Sequence, residues 1–138
     1  PDRDAELAML DGRAVTDPLT ALTPVADAAR VRELVAAVGR LHVSEAVRRY
    51  VVLLVEATRR SPDLRLGASP RAGLQLLRAA RAAAALAGRD HVLPDDVQSL
   101  AGPVLAHRLL LTPEAALGRT TAGQVVDKLL AAVPVPRR

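Results

Sequence analysis

The stretch Gly67-Ala68-Ser69-Pro70-Arg71-Ala72 is the one place in this chain where residue types and spacing could hold an anion. Ser69 is a favoured N-cap, and Pro70 suits the first helical position because its missing N–H would have had no intrahelical acceptor. A helix N-terminus offers unpaired N–H groups and the positive end of the macrodipole. Arg71, in the first turn, adds a planar fork of donors shaped for phosphate. Ala68, Ser69, Pro70 and Arg71 are therefore the candidate binding residues, with Gly67 letting the chain turn tightly into the helix. Local chemistry leaves two readings of Arg71 open: a phosphate ligand, or a solvated cation that mildly opposes the dipole.

Other chemistry is sparse. The chain has no Gly-x-x-x-x-Gly-Lys-Ser/Thr phosphate loop, no His-Glu-x-x-His and no nucleophile elbow, so the isolated chain reads as a non-enzyme. It contains no cysteine, which removes disulfides and thiolate metal sites, and His42, His91 and His107 are too scattered for a zinc motif. Asp95-Asp96 after Pro94 reads as ordinary dipole-complementing acid at a helix start. A net charge of +4 is compatible with nucleic acid, but there is no Phe or Trp and one Tyr, so no stacking platform exists for single strands.

With 138 residues, half of them hydrophobic, the chain can build one buried core. Its apolar runs, such as Tyr50 to Val55, are far short of the ~20 residues of a membrane span, and no signal peptide is evident, so the reading is cytoplasmic with no membrane insertion. Starting at Pro1 without an initiator methionine, the chain reads as a fragment of something larger.

The elements that must position the candidate site follow from periodicity. Asp2 to Leu10 predicts a short helix. Asp17 to Pro24, with two prolines, predicts a non-helical break with Ala21-Leu22-Thr23 extended. Val31, Leu34, Val35 and Val38 predict an amphipathic helix stopping at Gly39. Ser44 caps a helix carrying Val47, Tyr50, Val51, Leu54, Val55 and Thr58 and ending at Ser61-Pro62. The helix opened by Ser69-Pro70 buries Gly73, Leu76, Leu77, Ala80, Ala83, Ala84 and Ala87 and stops at Gly88, with Arg71, Arg78 and Arg81 on a neighbouring, solvated face. Pro94-Asp95-Asp96 opens another, which Pro103 should kink or divide. His107 to Leu111 reads as extended and able to pair with Ala21 to Thr23. Thr121-Ala122-Gly123-Gln124 fits a capping box for a last helix before Pro134. The fold class is all-α, a bundle of about five or six helices with at most one very short two-stranded ladder.

Taken together, these segments resemble the C-terminal part of MoxR-family AAA+ ATPases. Gly67-Ala68-Ser69-Pro70-Arg71-Ala72 with Leu76-Leu77-Arg78-Ala79-Ala80-Arg81 resembles the family's sensor 2 segment. Gly88-Arg89-Asp90-His91-Val92 with Pro94-Asp95-Asp96-Val97 resembles the family's next stretch, and Pro103 to Leu109 with Thr112-Pro113-Glu114 its end. The resemblance implies that residues 1–12 are the last helix of the ATPase core or a linker, and 13–138 the helical lid with sensor 2. It implies ATP and Mg2+ in the intact protein, Arg71 on the γ-phosphate beside Ala68, Ser69 and Pro70, and partners in the same protein's core and neighbouring subunits of a hexamer. It further implies chaperone-like maturation of clients, often beside von Willebrand factor A domain proteins. Walker A, Walker B, sensor 1 and the arginine finger are not in this sequence. Two positions depart from the pattern: Leu93 where threonine commonly precedes Pro-Asp-Asp, and Gly73 where serine or alanine is common. The competing readings are a basic module binding duplex nucleic acid through Arg71, Arg78 and Arg81, and a helical protein-interaction domain.

Overall fold

The computed structural model describes residues 2–12 and 18–136, and they are overwhelmingly helical. Seven α-helices occur among the described residues: α1 (Arg3–Gly12), α2 (Ala28–Gly39), α3 (Glu45–Arg60), α4 (Pro70–Leu86), α5 (Pro94–Leu105), α6 (Pro113–Leu117) and α7 (Ala122–Ala132). Two strands, β1 (Leu64–Leu66) and β2 (Leu110–Leu111), form one antiparallel ladder. This exceeds the expected five or six helices because the five-residue α6 is too short to show periodicity. Two compact units divide the chain at Leu34/Val35.

In the first unit, α1 is capped by Asp2, whose carboxylate accepts from the Ala5 N–H at 2.9 Å. Pro18–Ala21 forms a 3-10 turn where a non-helical break was expected, and the Leu22 N–H closes on the Leu19 carbonyl at 3.2 Å, so Ala21 to Thr23 is no strand. Proline at the first position of such a turn needs no donor, which is why two prolines did not prevent it. α2 crosses into the second unit and buries none of its residues; Val31 and Val35 are exposed.

The second unit carries the core. α3 begins where Ser44 Oγ accepts from the Val47 N–H at 3.2 Å, and it turns Val47, Tyr50, Val51, Leu54 and Val55 inward. α4 meets it with Ala72, Leu76, Ala80 and Ala84, a strict four-residue stripe of mostly small side chains that lets backbones approach closely. Val97, Ala101 and Leu105 of α5 and Val126 of α7 complete the cluster. α5 runs past Pro103 to Leu105 and only then tightens into a 3-10 turn over Ala106–Arg108, so His107 and Arg108 are helical rather than extended. α7 has the expected capping box: Gln124 N–H to Thr121 Oγ1 at 3.2 Å and Thr121 N–H to Gln124 Oε1 at 2.9 Å.

β2 pairs with β1, in register Leu64 with Leu111 and Leu66 with Leu110, and not with Ala21 to Thr23. The ladder extends by one more bond, Thr112 N–H to the Asp63 carbonyl at 3.0 Å. β1 leads straight into the residues that open α4.

Candidate functional site

Gly67 anchors the site, for a reason other than turning. Its φ is not positive, but a Cβ placed on it would lie 2.7 Å from the Arg59 Cα and N and from the Thr58 carbonyl carbon. The strand end is thus pressed onto the backbone of the last turn of α3, an approach only glycine permits. Thr58, buried to 2 % exposure, locks the contact: its hydroxyl donates to the Val55 carbonyl at 2.6 Å and accepts from the Ala68 N–H at 2.8 Å. Ala68 and Ala72 are buried on either side, while Ser69, Pro70 and Arg71 stand exposed between them.

Ser69 occupies the N-cap with extended backbone (φ −77°, ψ 163°), as expected, but its hydroxyl makes no capping bond. Its carbonyl instead accepts from the Ala72 N–H at 2.9 Å, a tight first turn. The Arg71 guanidinium has no hydrogen-bond or ion-pair partner among the described residues. The contrast with α3 is direct: Arg49 is held by Glu45 at 2.6 Å and Arg60 by Glu56 at 3.7 Å. The fixed shelf therefore presents a hydroxyl that makes no capping bond and an uncommitted guanidinium, both exposed at the positive end of a 17-residue helix.

Farther along α4 the arginines part company. Arg78 is exposed, whereas Arg81 is half-buried with its Nε unpaired, so the three do not form one solvated row. Alongside the shelf runs an apolar groove of about 470 Å³ between α3 and α4, floored by Val51, Val55, Gly73 and Leu77 and edged by Arg59 and Pro70.

A second polar cluster closes the far end of α4. Gly88 (φ 70°) ends the helix, and Arg89 turns back to hold Asp96 with two bonds, at 2.8 and 2.6 Å. Asp96 also accepts from the Leu93 N–H at 2.8 Å, the half of a capping box that does not need a hydroxyl at Leu93. The Arg89 guanidinium, followed by the Leu93 N–H, holds the Asp96 carboxyl below its ordinary value even though burial pushes the other way. Reading Asp96 as a plain dipole residue missed this clamp; the signal available was an arginine directly after a helix-stopping glycine, seven residues before the acid. Among the described residues no three metal-ligating side chains gather, and no helix is long and apolar enough to cross a membrane.

Residues 56–129, from the end of α3 through α7, match the family described as the AAA lid domain. The chain belongs to the AAA lid domain family. Relatives named MoxR are similar to this AAA lid. It is 40% identical over 109 residues to Protein MoxR of Paracoccus denitrificans, covering 69% of the chain and 32% of that protein. With Chaperone MoxR1 of Mycobacterium tuberculosis it shares 33% identity, over 99% of the chain and 38% of the relative. It is 36% identical to the uncharacterized protein YeaC of Bacillus subtilis, over 99% of the chain and 42% of that protein. The lid thus spans less than half the length of the relatives it matches. Its fold matches, with a TM-score of 0.86 and 26% identity, the crystal structure of a Cytophaga hutchinsonii protein assigned as an ATPase, over 99% of the chain and 44% of the solved one. The all-α architecture with a minimal ladder is that of an AAA+ lid.

Proposed function

We propose that this lid senses nucleotide, with Arg71 as the sensor 2 arginine reaching the γ-phosphate of ATP held by an ATPase core. The observation that carries the reading is the Arg71 guanidinium, exposed in the first turn of α4 on a backbone fixed by Gly67 and Thr58, and bonded to no protein group among the described residues. A phosphate fits this donor set: the guanidinium fork, the Ser69 hydroxyl and the helix dipole all favour an oxyanion, with exposed Pro70 adding bulk without charge and buried Ala68 anchoring the turn beneath. Bound there, ATP would supply a terminal phosphate whose loss on hydrolysis removes the ligand. Arg71 then holds the lid in one orientation before hydrolysis and releases it afterwards, which makes the lid a two-state element. Mg2+ finds no carboxylate among Ala68 to Arg71 and would be held by the core.

On the same reading, residues 1–12 belong to the last helix of that core or a linker and 13–138 to the lid; subunits assemble as a hexamer in the cytoplasm, and lid movement drives chaperone-like remodelling of clients, with von Willebrand factor A domain proteins as candidate partners. The names MoxR and Chaperone MoxR1 among the relatives support this direction. The test is Arg71→Ala in the intact ATPase. Turnover should fall by roughly 10²-fold, the scale for losing one preorganised donor to transition-state charge, while circular dichroism of the lid stays unchanged. Hydrolysis within twofold of the parent would overturn the assignment.

A further inference from the structure

His42 and His91 come from segments far apart in sequence, yet the backbone makes them neighbours. The His42 N–H donates to the Asp90 carbonyl at 3.1 Å and the Val92 N–H to the His42 carbonyl at 3.0 Å, which pairs His42 with His91 in a parallel bridge. Paired residues in such a bridge project from the same face, with backbones roughly 4.8 Å apart. Both imidazoles are exposed, and both line one surface cleft of about 410 Å³ together with Ser44, Leu93 and Pro136. His91 is oriented as well: its Nδ1 lies 2.7 Å from the Asp90 carboxylate. A carboxylate on one ring nitrogen is the usual device that fixes a metal-binding histidine's tautomer and leaves Nε2 as the ligand.

We propose that His42 and His91 form a two-histidine surface site for a borderline divalent transition-metal ion, Cu2+, Ni2+ or Zn2+, with Asp90 as the positioning residue for His91. Imidazole nitrogen suits these ions and not Mg2+ or Ca2+. Both ligand nitrogens must come within roughly 2.1 Å of one ion, which side-chain rotation of two exposed neighbouring rings allows, and water fills the other positions. An ion there would staple the segment before α3 to the segment before α5. The site does not depend on the nucleotide reading.

The probe is Ni2+, titrated calorimetrically into the untagged protein. One site per chain is expected, with thermal unfolding shifted upward in its presence. His42→Ala and His91→Ala should each weaken binding at least about tenfold, Asp90→Asn by a smaller factor, and His107→Ala should have no effect. Both substituted rings are exposed, so the variants keep the fold, checked by circular dichroism. No binding at about 1 mM Ni2+, a fall of less than tenfold in either His42→Ala or His91→Ala, or loss in His107→Ala would overturn the site.

Discussion

Gly67→Ala tests the physical basis of the shelf that carries Arg71. The added methyl meets three backbone atoms of Thr58 and Arg59 at 2.7 Å, and backbone cannot swing aside as a side-chain tip can. Restoring normal contact moves the strand end away from α3 by several tenths of an ångström to about 1 Å. Overpacking of this kind costs about 1–3 kcal/mol. The same movement stretches the 2.8 Å bond from the Ala68 N–H to Thr58 Oγ1. Ala68 is 1 % exposed and Thr58 2 %, so water cannot replace what is lost, adding about 1–3 kcal/mol. The expected destabilisation is about 2–6 kcal/mol, read as a lower urea midpoint at unchanged m-value. Thr58→Val, which removes the hydroxyl but keeps the volume, should account for the hydrogen-bond part, about 1–3 kcal/mol. Because both substitutions break the same bond, the double variant should lose clearly less than the sum. A Gly67→Ala protein within about 0.5 kcal/mol of the parent, or strict additivity in the pair, would refute the close-approach argument.

Two further perturbations probe the other end of α4. The Asp96 carboxyl titrates below its unfolded value of about 3.9, so its stabilisation is complete above that pH and fades as pH falls through the lower folded value; Asp96→Asn should flatten the acid limb of stability against pH, and an unchanged limb would rule out the clamp as its source. Helices α4 and α6 end in the same left-handed cap, with Gly88 at φ 70° in one and Arg119 at φ 57° in the other. Gly88→Ala meets open space but an unfavourable backbone and should cost about 1 kcal/mol, whereas Arg119→Gly should gain about 0.5–1 kcal/mol, both read from thermal unfolding.

The helices were legible where a strong local signal coincided with a long period. Ser44, the Thr121–Gln124 box and Gly88 mark ends by chemistry that acts within four residues, and each sits where expected. The ladder was expected but its partner was misread because that information is not local: Leu64-Arg65-Leu66 is three residues before a glycine, and nothing in Leu110-Leu111 names its partner. Ser69 marked a helix start correctly, but the missing capping bond depends on how the Ala72 N–H is spent. Gly67 was visible as a glycine, not as a contact with the α3 backbone. The role of Arg71 lay further out of reach, because a cation without a protein partner takes its meaning from a ligand the lid does not itself provide.

The Thr58 hydroxyl, which joins the Val55 carbonyl to the Ala68 N–H, gives α3 and the start of α4 a shared crank. α3 is 16 residues long, a rod of about 24 Å. A tilt of about 5° imposed at its Thr58 end would sweep its Ser44 end through about 2 Å, the size of the helix shifts that switch protein interfaces. If Arg71 holds a phosphate as proposed, its release beside the Thr58 end would be read at the Ser44 end of α3 as a displacement larger than the one that caused it.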